Sequence, residues 1–129
     1  MKERRNILVV DDDAMTLELV SFALRSKGYD VIAVGDGLQA ILKIGEHKPD
    51  LAILDIMLPD LSGLELLNLF RIEFKLEKMP VILMSLLGSP KLVLAADRLG
   101  AIDFLVKPFE MEQLLEKISC LPGFQTNAA

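Results

Sequence analysis

The sequence predicts an α/β protein in which five parallel strands alternate with five helices in a doubly wound sheet. Three observations carry this expectation. Five short runs of aliphatic or β-branched residues recur along the chain, each bounded by Asp, Pro, Ser or Gly. The stretches between them repeat apolar residues at helical spacing. The strand-like runs are apolar almost throughout, as strands covered on both faces are.

The first run, "ILVV" (7–10), precedes a helical pattern in Leu17, Val20 and Leu24 that Gly28 can end. "YDVIAV" (29–34) follows, and Asp36 is placed to cap a second helix carrying Leu38, Ile41 and Leu42. Pro49 introduces "LAIL" (51–54), and Leu64, Leu67 and Phe70 mark the third helix. Pro80 introduces "VILM" (81–84), with Leu92, Ala95, Ala96 and Leu99 in a fourth helix closed by Gly100. "IDFLV" (102–106) is the last strand, and Met111, Leu114, Leu115 and Ile118 the last helix. Right-handed crossovers are expected between successive strands. The tail "LPGFQTNAA" (121–129) reads as a frayed end or the start of a linker, beyond a core of about residues 5–120.

At 129 residues, 52% of them apolar, the chain suits one domain with a substantial core. A net charge of -5, with no basic block beyond the N-terminal "KERR", argues against direct nucleic-acid binding. The single cysteine, Cys120, excludes an internal disulfide framework and agrees with a reducing compartment. The apolar stretch "ILVV" runs into three aspartates and is too short for a signal peptide or membrane span, so a cytoplasmic protein is expected. Cys120 reads as a small apolar residue, the six methionines as core filler, and His47 as a surface residue.

Ligands of open α/β sheets gather at the carboxyl ends of the strands. There the sequence delivers Asp11, Asp12 and Asp13 after the first strand, Asp55 after the third, Ser85 after the fourth and Lys107 before Pro108 after the fifth. Clustered carboxylates repel one another unless a cation intervenes. A hard ion such as Mg2+ takes oxygen ligands and needs only one or two protein carboxylates, so the cluster reads as an Mg2+ site. An ammonium and a hydroxyl facing such a site suit the oxygens of a phosphoryl group, with Asp55 as the nucleophile that would accept it. Taken singly, each residue has an ordinary reading: an Asp after a strand as a helix cap, above all Asp13 and Asp36, Ser85 as a turn residue, Lys107 as a solvated charge.

The conjunction of "ILVVDDD", "DIMLPDLSGLEL", "VILMS" and "GAIDFLVKPF" resembles a response-regulator receiver domain of two-component signalling, from about residue 5 to residue 120. The resemblance implies a flavodoxin-like (βα)5 fold with strand order 2-1-3-4-5. It also implies that Asp55 is the phosphoacceptor, that Asp12 binds Mg2+ directly, that Asp11 is its partner and that the Met57 carbonyl is a further ligand. By the same resemblance Lys107 contacts the phosphoryl group, the Lys107–Pro108 bond is cis, Ser85 moves toward the phosphoryl group, and Phe104 is the switch aromatic. The implied partners are a sensor histidine kinase or phosphotransfer protein and an output domain or target protein.

Several positions depart from the family's habit. Leu86 stands where a small residue is usual, which would narrow access to Asp55, and Phe104 replaces the commoner tyrosine. Met57 and Leu87 are apolar and cannot position a water, which implies slow loss of the phosphoryl group. The segment "LLGSPKLVLAADRLG" has little charge for a surface helix, and its Leu86, Leu87, Val93 and Leu94 suggest a patch for a partner or a homodimer. Two other functions stay open: a binding module of this fold that does not rely on phosphorylation, and a phosphohydrolase of the haloacid-dehalogenase type with Asp11 as nucleophile and Asp13 as acid. In the leading reading the protein is a switch without turnover of an external substrate.

Overall fold

The computed structural model describes residues 4–125. Its elements alternate strictly: β1 (Asn6–Val10), α1 (Ala14–Ser26), β2 (Asp30–Val34), α2 (Gly37–Glu46), β3 (Leu51–Asp55), α3 (Gly63–Ile72), β4 (Val81–Ser85), α4 (Pro90–Arg98), β5 (Asp103–Val106) and α5 (Met111–Ser119). All neighbouring strands are parallel, in the order β2-β1-β3-β4-β5. This is the expected flavodoxin-like arrangement, and the strands begin and end within a residue of the apolar runs.

Alternation of side chains along each strand divides the core into two layers. Ile7, Val9, Leu51, Ile53, Ile82, Met84 and Leu105 face α1 and α5, where Val20, Leu24, Leu114 and Ile118 meet them. Leu8, Val10, Ala52, Leu54, Val81 and Leu83 face α2, α3 and α4, and pack on Ala40, Ile44, Leu66, Leu67, Phe70 and Ala96. Every residue of β3 and β4 is buried, because these central strands are covered on both faces.

The helix boundaries follow local chemistry. Asp13, Asp36, Ser62 and Ser89 cap α1 to α4 through their side chains, and Ser62 with Glu65 forms a reciprocal capping box. Gly28 and Gly100 take φ of +92° and +87° just past α1 and α4, a conformation that costs a side-chain-bearing residue more.

The end of the chain differs from the frayed tail expected over 121–129. Phe124 is 3% exposed, packs on Tyr29 with ring centroids 5.9 Å apart, and accepts the Tyr29 hydroxyl bond at its carbonyl. Arg5 stacks over the Phe124 ring at 5.7 Å and donates to the Gly123 carbonyl at 3.0 Å. The chain after α5 is therefore part of the core as far as Phe124, and residues 126–129 lie outside the described residues. Cys120 is a free thiol, exposed at the C-cap of α5. Met79 and Met84 are buried, whereas Met15 and Met57 are largely exposed, so the methionines are not uniformly core.

Candidate phosphoryl-acceptor site

The carboxyl ends of β1, β3 and β5 converge where the strand order reverses on either side of β1. Asp11 follows β1 directly, Asp55 is the last residue of β3, and Lys107 follows β5. Asp11 and Asp55 are buried, Asp12 is exposed, and one carboxylate oxygen from each lies within 4.8 Å of the others. The Lys107 ammonium bridges the two buried members, donating to Asp11 Oδ2 at 2.6 Å and to Asp55 Oδ2 at 3.1 Å.

Two main-chain donors fix the carboxylates further. The Met57 N–H donates to Asp55 Oδ1 at 3.1 Å, and the Asp13 N–H to Asp11 Oδ1 at 2.9 Å. Burial, and then the charge of Asp11, push the Asp55 carboxyl up, although the Met57 N–H and Lys107 pull against them. Burial likewise pulls the Lys107 ammonium down, but its bonds to Asp11 and Asp55 outweigh this and its net shift is upward. An ion pair alone would lower Asp55; the upward direction reflects burial first, and then a second buried carboxylate sharing the same lysine. The donor set, all hard carboxylate oxygens with more negative charge than Lys107 balances, is the chemistry that suits Mg2+.

Asp13 stands apart from the cluster. Its carboxylate accepts the Thr16 N–H at 3.1 Å and the Thr16 hydroxyl, and so caps α1. With Asp11 buried and Asp13 turned to the helix, the nucleophile and acid pair of a dehalogenase-type site is not formed.

Ser85 is buried, and its hydroxyl accepts the Leu87 N–H at 3.0 Å; the site's hydrogen bonds to Asp55 do not include it. Its carbonyl accepts the Lys107 N–H at 2.8 Å, which ties the lysine's main chain to β4. Phe104 is half-buried against the layer of α2, α3 and α4, opposite Leu83 in the sheet. The Lys107–Pro108 bond is cis.

Above the carboxylates lies a cleft of about 570 Å³ whose polar floor includes Asp12, Asp55 and Lys107, and whose walls include Leu19, Met57, Leu86, Phe109 and Met111. Leu86 is 67% exposed, so it forms a lip of the cleft rather than a plug, and Leu87 is not among the lining residues. The sequence reading missed Thr16, Leu19, Phe109 and Met111 as part of this cleft. Only the proximity of α1 and the chain after β5 to the strand ends makes them so.

The family model described as "Response regulator receiver domain" matches residues 7–119. The chain is 34% identical over 115 residues to the DNA-binding response regulator MtrA of Mycobacterium tuberculosis, covering 89% of this chain and 49% of that protein. It is 36% identical over 115 residues to the probable transcriptional regulatory protein TcrX of the same species, covering 89% of this chain and 48% of that one. The chain thus spans about half the length of these curated relatives. Among solved structures, the chemotaxis protein CheY4 of Vibrio cholerae superposes with a TM-score of 0.86 at 29% identity, over 91% of this chain and 98% of that one. A putative response regulator from Chloroflexus aurantiacus does so with a TM-score of 0.84 at 30% identity, over 91% and 96%. No helix among the described residues is long and apolar enough to cross a membrane. With a matching family model over most of its length and the site geometry at its strand ends, the chain belongs to the response regulator receiver domains of two-component systems.

Proposed function

We propose that the protein is a phosphoacceptor switch in which Asp55 takes a phosphoryl group from the phosphohistidine of a sensor kinase or phosphotransfer protein. The observation that carries this reading is the setting of Asp55: a buried carboxylate at the floor of an open cleft, held by the Met57 N–H and by Lys107, with Asp11 and Asp12 beside it. A carboxylate oxygen of Asp55 attacks phosphorus, the P–N bond breaks, and its electron pair returns to the donor imidazole, which takes up a proton from solvent. Asp55 is the acceptor because Asp11 is sealed off at 0% exposure. Lys107 balances charge on the phosphoryl oxygens as it forms. Asp11, Asp12, Asp55 and the Met57 carbonyl are the groups that would hold Mg2+, which would supply the remaining charge neutralisation.

Partner surfaces border the site on two sides. Met15, Leu19 and Phe22 recur at helical spacing on α1 with exposures of 70%, 56% and 72%, and Leu19 reaches the cleft wall, which suits an apolar phosphodonor surface. On the other side, Leu86, Leu87, Val93 and Leu94 are exposed with Ile102 and Val106 of the β5 region. This supports the fourth-helix region as the surface for an output domain, a target protein or a second copy, with Ser85 and Phe104 reporting the state of Asp55 to it.

The test is the mass of the intact protein after incubation with Mg2+ and acetyl phosphate, and with a phosphorylated histidine phosphotransfer domain. One phosphoryl group is expected on the wild type and none on Asp55→Asn. No addition from either donor would overturn the reading.

A further inference from the structure

The loop between β3 and α3, residues 56–62, carries Met57, and the Ile56 N–H fastens its start to β4 at the Met84 carbonyl, 2.9 Å away. Met57 and Ser62 form an isolated antiparallel bridge, and the Gly63 N–H returns to the Ile56 carbonyl at 2.8 Å. Gly63 must be glycine for this closure, since a Cβ there would lie 2.8 Å from the Ile56 Cα. These two bonds shape the loop, but neither anchors the stretch beyond Ile56 to another element.

Asp60 supplies such an anchor. Its Oδ2 accepts the Leu38 N–H at 2.9 Å, and its Oδ1 accepts the Gly37 N–H at 2.9 Å and that of Leu61 at 2.9 Å. Gly37 and Leu38 are the first two residues of α2, whose N-cap, Asp36, takes the Gln39 N–H at 2.8 Å. Two carboxylates thus divide the free N–H groups of one helix start: Asp36 from its own chain segment, Asp60 from the loop of the phosphoacceptor. The approach is close enough that a Cβ on Gly37 would lie 3.0 Å from Leu61 Cδ1 and 3.1 Å from Asp60 Oδ1. Hydrogen bonds from Gly37, then Leu38, hold the Asp60 carboxyl below the usual carboxylate range.

The chain entering α2 is also tied to the site. β2 leads into it, and the carbonyl of Val34 at the end of β2 accepts the Asp11 N–H at 3.2 Å. The acidic loop, the end of β2, the start of α2 and the phosphoacceptor loop therefore form one closed circuit of contacts, and Asp60 is the link between its last two members.

We infer that Asp60 is a positioning residue, which holds the Met57 main chain beside Asp55 by fastening the phosphoacceptor loop to the start of α2. Its consequence for Mg2+ and phosphoryl binding rests on the phosphoacceptor reading; the fastening itself does not. Asp60 touches neither group and acts only through Met57.

Three variants separate this role from simple helix capping. Asp60→Ala removes the link, Asp60→Asn keeps an Oδ1 acceptor but loses the second, and Asp36→Ala removes the cap that does not touch the loop. Amide hydrogen exchange at Met57 and calorimetric titration with Mg2+ are read on each. Asp60→Ala is expected to speed Met57 exchange and to weaken Mg2+ binding on the order of tenfold, as loss of a supporting partner of a metal ligand does. Asp60→Asn should fall between, and Asp36→Ala should lower the melting temperature while leaving both readings at wild-type values. Unchanged Met57 exchange in Asp60→Ala, or an equal effect from Asp36→Ala, would overturn the inference. A wild type that binds no Mg2+ would count against the phosphoacceptor reading alone, and Met57 exchange would still decide the role of Asp60.

Discussion

Lys107 stands closer to Asp11 than to Asp55, its ammonium 2.6 Å from Asp11 Oδ2 and 3.1 Å from Asp55 Oδ2. It thus occupies the space between two buried carboxylates as a cation. Lys107→Ala would leave these carboxylates facing each other without one. We expect it to lose about 2 kcal/mol of stability in Mg2+-free buffer, less than the full cost of breaking a buried pair because the cleft admits water. Mg2+ should then stabilise the variant more than the wild type, since the ammonium no longer competes for the same oxygens. Urea unfolding with and without Mg2+ measures both effects.

Phe124 is buried against Tyr29 and under Arg5, so removing its ring should act as a core substitution. Phe124→Ala is expected to cost about 3 kcal/mol, and Tyr29→Phe, which deletes only the hydroxyl bonded to the Phe124 carbonyl, about 1 kcal/mol. Denaturant titration of the two variants distinguishes a docked segment from a frayed one, for which neither change would register.

The depressed Asp60 carboxyl predicts an acid-limb effect. A carboxylate held low in the folded state contributes stability above its unfolded value, and this is lost as pH falls through the folded value. The stability difference between wild type and Asp60→Asn should therefore be full at neutral pH and shrink below about pH 4. Thermal melts across that range measure it.

Met57 is 54% exposed on the wall of the cleft that contains Asp55, and its apolar side chain cannot orient a water for attack on an aspartyl phosphate. The phosphorylated protein is therefore expected to be long-lived. Met57→Glu should shorten its half-life by up to about tenfold, less than a fully positioned general base gives. Leu87→Glu should do less, because Leu87 does not line the cleft. The decay of phosphorylated protein, followed by intact mass after removal of the donor, compares the two.

Local pattern made the alternation of strands and helices legible, because a strand buried on both faces must be apolar throughout and a helix must repeat its apolar face. The residues after each strand were legible for the same reason: parallel strands of one sheet deliver their carboxyl ends to one edge, so Asp11, Asp55, Ser85 and Lys107 had to be neighbours. Which atoms of these residues meet was decided only by the tertiary structure. Asp13 sits next to Asp12 in the sequence but turns to cap α1, and Ser85 bonds its own loop rather than Asp55. No local pattern marks Asp60, whose partners at the start of α2 lie 22 and 23 positions away. Phe124 looked like part of a loose tail, and Tyr29, which holds it, lies 95 positions away. Periodicity records which side of an element faces the core. The partner of a side chain that leaves its own element depends on where the packing of other elements brings a donor or a ring, and no local pattern carries that information.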